Sequence, residues 1–116
     1  MDTESTRILL VEDNPGDARL IEFTLREGVS TTECVLTTVG TLGDALDLLQ
    51  RSAADGCRYG LVLLDLSLPD SRGIETLLAV RQADPTLPII VLTGLSDEAV
   101  GLEAVKGRAD DLLDKG

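Results

Sequence analysis

A chain of 116 residues and 12.3 kDa, 43% apolar and 27% charged, can bury one core of its own and not two. Against 10 Lys and Arg stand 21 Asp and Glu, a formal charge of -11, so a phosphate backbone is repelled; one Phe, one Tyr and no Trp leave no platform on which bases could stack. There is no His, and Cys34 and Cys57 have no C-x-x-C spacing, so a metal held here is a hard cation bound by oxygen, and both cysteines are expected as reduced thiols. The opening Met1-Asp2-Thr3-Glu4-Ser5-Thr6 is polar and acidic where a signal peptide would be basic and then apolar. No apolar run approaches the roughly 20 residues of a membrane span, and a cytoplasmic protein is expected.

Apolar runs and helical periods alternate along the chain. Ile8-Leu9-Leu10-Val11 is a short continuous run of the kind a strand buried on both faces shows. Asn14-Pro15 then supplies a cap and a first-turn proline for a helix carrying Ala18, Ile21 and Leu25, which Gly28 closes. The Val- and Thr-rich stretch Glu33 to Val39 predicts a second strand, and Thr41 caps a helix with Leu42, Ala45, Leu46 and Leu49 on one stripe, ended by Gly56. Leu61-Val62-Leu63-Leu64 predicts a third strand, followed by a turn at Pro69 and a helix carrying Ile74, Leu77 and Leu78 that stops at Asp84-Pro85. Ile89-Ile90-Val91-Leu92 is the fourth strand, Asp97 to Lys106 a weaker helix with Leu102 and Val105 on one side, and Leu112-Leu113 centres a short fifth strand. Strict alternation of β and α segments with short connections predicts right-handed crossovers and a parallel sheet covered by helices on both faces.

In such a sheet ligands bind beyond the carboxyl ends of the strands. The residues just past the apolar runs are Glu12-Asp13, Asp65, Thr93-Gly94 and Lys115. Three carboxylates, a hydroxyl and an amine therefore converge on one edge from four strands. Clustered carboxylates repel one another unless a cation sits among them, and an all-oxygen set suits Mg²⁺. An acidic cluster with Mg²⁺ is a phosphate site in which a carboxylate can be the nucleophile, Lys115 the cation on the equatorial oxygens and Thr93 a hydrogen-bond donor. Taken alone, Glu12-Asp13 reads first as a helix cap or a solvated turn, whereas Asp65 puts a charge into an otherwise buried run. Asp17 suits the first turn of a helix dipole, and Asp110, Asp111 and Asp114 read most simply as solvated charge.

These residues resemble the receiver domains of two-component response regulators. Ile8-Leu9-Leu10-Val11-Glu12-Asp13-Asn14 is similar to that family's first strand with its acidic pair, and Asp65-Leu66-Ser67-Leu68-Pro69-Asp70-Ser71-Arg72-Gly73 to its phosphoacceptor loop. Pro88 to Gly94 and Ala109 to Gly116 resemble its fourth and fifth strands. The resemblance implies a flavodoxin-like, doubly wound, five-stranded parallel α/β sheet of order 2-1-3-4-5. It also implies Asp65 as the residue phosphorylated by a histidine kinase, with Mg²⁺ held directly by Asp13, through water by Glu12, and by Asp65 and the backbone carbonyl of Ser67. Thr93 and Lys115 would engage the phosphoryl group, and Gly94 would leave room for it. The implied partners are a histidine kinase or phosphotransfer domain and an output or kinase domain in the same full-length chain, with no direct nucleic acid and no membrane. The implied role is a switch that slowly loses its phosphate, more than an enzyme.

Three departures stand out. Leu112 occupies a position where the family usually has Tyr or Phe, a ring that swings inward as the threonine turns to the phosphate, so the common readout is not expected. Gly107-Arg108 stands where Ala-Gly is typical, and the family's fifth helix has no counterpart here. Residues 1–116 are therefore expected to be a receiver domain cut from a longer regulator or hybrid kinase, with apolar surface open near Leu112 and Leu113 and a weak homodimer covering it. An aspartate-nucleophile phosphatase of the haloacid dehalogenase type would need a second Asp where this chain has Ser67. A receiver-like module that only binds partners has no reason to keep five pocket side chains, and a flavin module would need a phosphate loop after strand one.

The three pocket carboxylates do not account for a charge of -11, and Lys106 and Lys115 are the only lysines. An acidic, lysine-poor composition predicts adaptation to high internal salt. Stability followed by denaturant melts should rise as KCl is raised from dilute buffer to molar levels; a maximum already reached in dilute buffer would show that self-repulsion is not limiting.

Overall fold

The computed structural model describes residues 6–28, 34–93 and 108–114. Its elements are β1 (Thr6–Val11), α1 (Pro15–Gly28), β2 (Cys34–Val39), α2 (Leu42–Asp55), β3 (Leu61–Asp65), β4 (Ser67–Leu68), β5 (Ser71–Arg72), α3 (Ile74–Ala83), β6 (Ile89–Thr93) and β7 (Asp111–Asp114). Five strands form one sheet of order β2-β1-β3-β6-β7, every pair parallel. This is the doubly wound, flavodoxin-like order that the family resemblance implies. The helix expected over 97–106 lies outside the described residues, as do Gly94, Gly107 and Lys115.

The apolar runs form strands because both of their faces are covered. Leu9, Val11, Val62, Leu64, Ile89 and Val91 point to one side, where they pack with Ala45 and Leu49 of α2 and Leu77 and Val80 of α3. Ile8, Leu10, Leu63 and Leu92 point to the other side, onto Ala18 and Ile21 of α1. Alternation by one residue thus divides each run between two cores, which is why the runs show no polar positions. Leu112 joins the α2/α3 core and is half-buried, while its neighbour Leu113 pairs with Leu92 on the α1 face and is 42% exposed. Of the two residues expected to be open to water, Leu113 is exposed and Leu112 is packed.

The helix ends form as their capping residues dictate. Asn14 Oδ1 accepts from the Asp17 N–H at 3.0 Å, with Pro15 in the first turn of α1. Thr41 is extended and its hydroxyl oxygen accepts from the Asp44 N–H, while Gly56 closes α2 with φ of 77°. Between β3 and α3 the chain makes an antiparallel hairpin, β4 with β5, pairing Ser67 with Arg72 and Leu68 with Ser71, where the sequence shows only a turn at Pro69. Two-residue strands have no period to read. On α3, Leu77 is buried and Ile74 packs against the same core, but Leu78 faces solvent; the inward place goes to Thr76, whose Oγ1 lies 2.6 Å from Ser71 Oγ.

Asp110 is not simply solvated charge. Its Oδ2 accepts from the Ile89 N–H at 2.7 Å and from Arg81 Nη2 at 3.1 Å, joining the start of β6 to the residue before β7. Arg81 also donates to the Leu87 and Arg108 carbonyls. The Ile89 N–H, and then the Arg81 guanidinium, hold the Asp110 carboxyl below the ordinary carboxylate value. A carboxylate whose native pKa is depressed adds stability that is complete above its unfolded pKa and is lost as pH falls through the native value. The stability gap between the wild type and Asp110→Asn, measured by denaturant melts, should be largest near neutrality and close below the ordinary value of 3.8; a gap independent of pH would show that the charge contributes nothing.

Candidate functional site

β1 and β3 lie side by side in register, Val11 opposite Leu64, and both are fully buried. The next residue on each strand is acidic. Glu12 is 3% exposed and Asp65 2%, while Asp13 reaches water. The Glu12 N–H donates to the Val39 carbonyl at 2.9 Å, extending the β1–β2 ladder to the pocket's edge. Glu12 Oε2 accepts from the Asn14 N–H at 3.2 Å, and Asp65 Oδ1 from the Ser67 N–H at 3.1 Å. These backbone donors compensate part of the cost of holding ionised carboxylates away from water.

One carboxylate oxygen from each of Glu12, Asp13 and Asp65 lies within 4.8 Å of the others. Three hard anionic donors at that spacing, with no nitrogen or sulfur among them, fit a hard divalent cation that completes its shell with water. Beside them opens a cleft of about 340 Å³, lined in part by Arg19, Glu22, Thr38 and Gly40.

The structure thus brings together three of the expected site residues. Thr93 ends β6 on the same edge, one residue past the Asp65–Leu92 pair, and its hydroxyl donates to the Leu113 carbonyl at 3.4 Å. Ser67 opens the β4–β5 hairpin two residues after Asp65. Lys115 lies outside the described residues.

Sequence reasoning gave Asp70 no role. Its two carboxylate oxygens accept from the Leu42 N–H at 2.8 Å and the Gly43 N–H at 2.9 Å, so the tip of the β4–β5 hairpin is tied to the N-terminus of α2. The Gly43 N–H, and then that of Leu42, hold its carboxyl below the ordinary value. The partners are 28 and 27 residues away, beyond the reach of any local pattern; an Asp following a turn proline was the only visible signal.

Residues 8–116 match the family described as the response regulator receiver domain. The cell cycle transcriptional regulator CtrA of Caulobacter vibrioides is 36% identical over 111 residues, 94% of this chain and 43% of that protein. The DNA-binding response regulator MtrA of Mycolicibacterium smegmatis is 36% identical over 116 residues, 99% of this chain and 46% of that protein. The chain therefore spans less than half the length of these curated relatives. Among solved structures, the phosphorylated cyanobacterial phytochrome response regulator RcpA superposes with a TM-score of 0.79 at 32% identity, covering 97% of this chain and 82% of that one. The Mn²⁺-bound form of response regulator Rcp1 gives a TM-score of 0.76 at 30% identity, covering 96% and 81%. With nearly the whole sequence matched, and with the acidic ends of β1 and β3 converging as described, the chain belongs to the response regulator receiver domain family.

Proposed function

We propose that this domain accepts a phosphoryl group on Asp65 from a histidine kinase or phosphotransfer domain, with Mg²⁺ at Glu12, Asp13, Asp65 and the Ser67 carbonyl. It passes the signal to an output domain in the same or another chain. The observation that carries this is the convergence of three carboxylates, two of them almost wholly buried, at the carboxyl edge of a parallel sheet. The phosphorylated RcpA and the Mn²⁺-bound Rcp1 support it. No helix among the described residues is long and apolar enough to cross a membrane.

An Asp65 oxygen attacks phosphorus, and the donor's bond to phosphorus breaks as its imidazole or carboxylate leaves. The bound cation would neutralise charge on the phosphoryl oxygens. Backbone donation from Ser67 orients the Asp65 carboxylate for attack. Lys115 supplies the positive side chain for the product. Thr93 has one hydroxyl proton, donated to Leu113 before the reaction. A turn of that hydroxyl toward a phosphoryl oxygen releases the β7 carbonyl, so the change is transmitted to β7 through the backbone, with Leu112 packed in place of an aromatic ring.

Mass spectrometry after incubation with acetyl phosphate should show one phosphoryl group on the Asp65 peptide, dependent on Mg²⁺. Asp65→Asn should abolish it, and Asp13→Asn should lose most of the rate while keeping the acceptor; undiminished labelling of Asp65→Asn at that peptide would refute the assignment. A release of phosphate from many esters without a stable adduct would indicate a phosphatase instead.

Binding of a cation to the folded state alone raises stability by mass action, about 2.7 kcal/mol at a hundredfold excess over the dissociation constant. Millimolar Mg²⁺ should therefore raise the melting temperature of the wild type and leave that of Asp13→Asn little changed. An equal shift in both proteins, reproduced by NaCl at matched ionic strength, would assign the effect to screening.

A further inference from the structure

The proposed cation ligands sit on three different connections, and only two of them are held by a strand end. Glu12 and Asp13 follow β1 and Asp65 ends β3, but Ser67 belongs to the β4–β5 hairpin. A hairpin of two residues per strand is too short to hold its own shape. Its base is pinned by Leu68, 2% exposed, by the Gly73 N–H donating to the Leu66 carbonyl at 2.8 Å, and by the bond between Ser71 and Thr76. Its tip, Pro69-Asp70, is pinned by the Asp70 carboxylate on the first two N–H groups of α2.

That carboxylate is not required to cap the helix. Thr41 already serves as the N-cap through the Asp44 N–H. The N–H groups that Asp70 takes lie at an exposed position where water could serve them. The bond does more for the hairpin than for the helix. It also holds the hairpin that begins two residues after Asp65 against the helix following β2, the strand whose Val39 carbonyl takes the Glu12 N–H.

We propose that Asp70 is a positioning residue for the pocket: by tying the hairpin tip to α2 it fixes the Ser67 carbonyl relative to Asp13 and Asp65, and so sets the affinity for the divalent cation. This rests on the metal site proposed above. Mg²⁺ and Mn²⁺ demand near-octahedral oxygen geometry, which a carbonyl on a loose hairpin does not keep.

The test uses Mn²⁺ alone as probe, with free Mn²⁺ followed by electron paramagnetic resonance and the fold of the metal-free protein followed by circular dichroism melts. Asp70→Ala should raise the Mn²⁺ dissociation constant about tenfold, the low end of the range for residues that orient metal ligands. Asp70→Asn, which keeps one acceptor oxygen, should fall between it and the wild type. Thr41→Ala removes the other cap of the same helix and should lower the melting temperature while leaving Mn²⁺ affinity unchanged. Wild-type affinity in a folded Asp70→Ala, or an equal loss in Thr41→Ala, would overturn the positioning role; if Asp70→Ala does not fold, Asp70→Asn against Thr41→Ala decides in the same way. A wild type that binds no Mn²⁺ at millimolar concentration overturns the metal site itself, an outcome distinct from normal wild-type binding with an unaffected Asp70 variant.

Discussion

Two carboxylates almost wholly withdrawn from water are forced beside a third by strands that cannot shift. Leu9, Leu10 and Val11 of β1 and Val62, Leu63 and Leu64 of β3 alternate between two fully packed cores. A slip of one residue in either strand would exchange every inward side chain between the cores. Burying these side chains is worth roughly 1.5–3 kcal/mol each, so the position of Glu12 and Asp65 follows from the packing below them. The electrostatic cost of gathering negative charge at that edge is carried by the hydrophobic register, and partly offset by the N–H groups of Asn14 and Ser67. A cation would offset more of it. This is the sense in which the core serves the chemistry: it supplies the free energy that holds like charges together.

Strands place residues to within a fraction of an ångström, but connections do not, and the connections here are held by side chains bonded to distant or neighbouring backbone. Asn14 fixes the turn from β1 into α1, Thr41 the turn from β2 into α2, and Asp70 the hairpin after β3. Each uses an oxygen acceptor on N–H groups that a helix start leaves unpaired. Among the described residues no buried side-chain nitrogen or oxygen lacks a partner, so the polar layer above the sheet is as fully satisfied as the core below is packed.

What the sequence disclosed follows from the range of each interaction. The runs at Ile8, Leu61 and Ile89 disclosed buried strands because burial on both faces leaves an uninterrupted apolar signature. Asn14, Thr41 and Gly56 disclosed helix ends because capping acts within four residues. Glu12, Asp13 and Asp65 were visible as charges at the ends of such runs. Asp70 and Asp110 were not, since a carboxylate bonded to backbone 28 or 21 residues away looks like any surface acid until the fold is in hand. Thr76 facing inward and Leu78 outward on α3 defied the simple stripe for a related reason: Ser71, in the hairpin that the sequence did not reveal, supplies the partner that lets a threonine be buried there.

The same distinction explains how so acidic a chain distributes its few cations. Arg7 lies over the Tyr59 ring, 4.4 Å from its centroid, and donates to the Cys57 carbonyl. Arg58 pairs with Asp84, and Arg81 with Asp110. All three clasps stand at the amino ends of strands, before or at the start of β1, β3, β6 and β7, the end of the sheet opposite the acidic cluster. There they tie separate segments to one another, and Arg58 and Arg81 neutralise acids that the site does not use. Exposed pairs of this kind contribute little stability singly. Their placement matters for the field: Asp84 and Asp110 are paired at one end of the sheet, whereas three carboxylates gather at the other, where Arg19 also lines the cleft, and such a cluster attracts a small divalent cation. Within the proposed function, a cation held among Glu12, Asp13 and Asp65 would offset that charge and let a phosphoryl group approach Asp65.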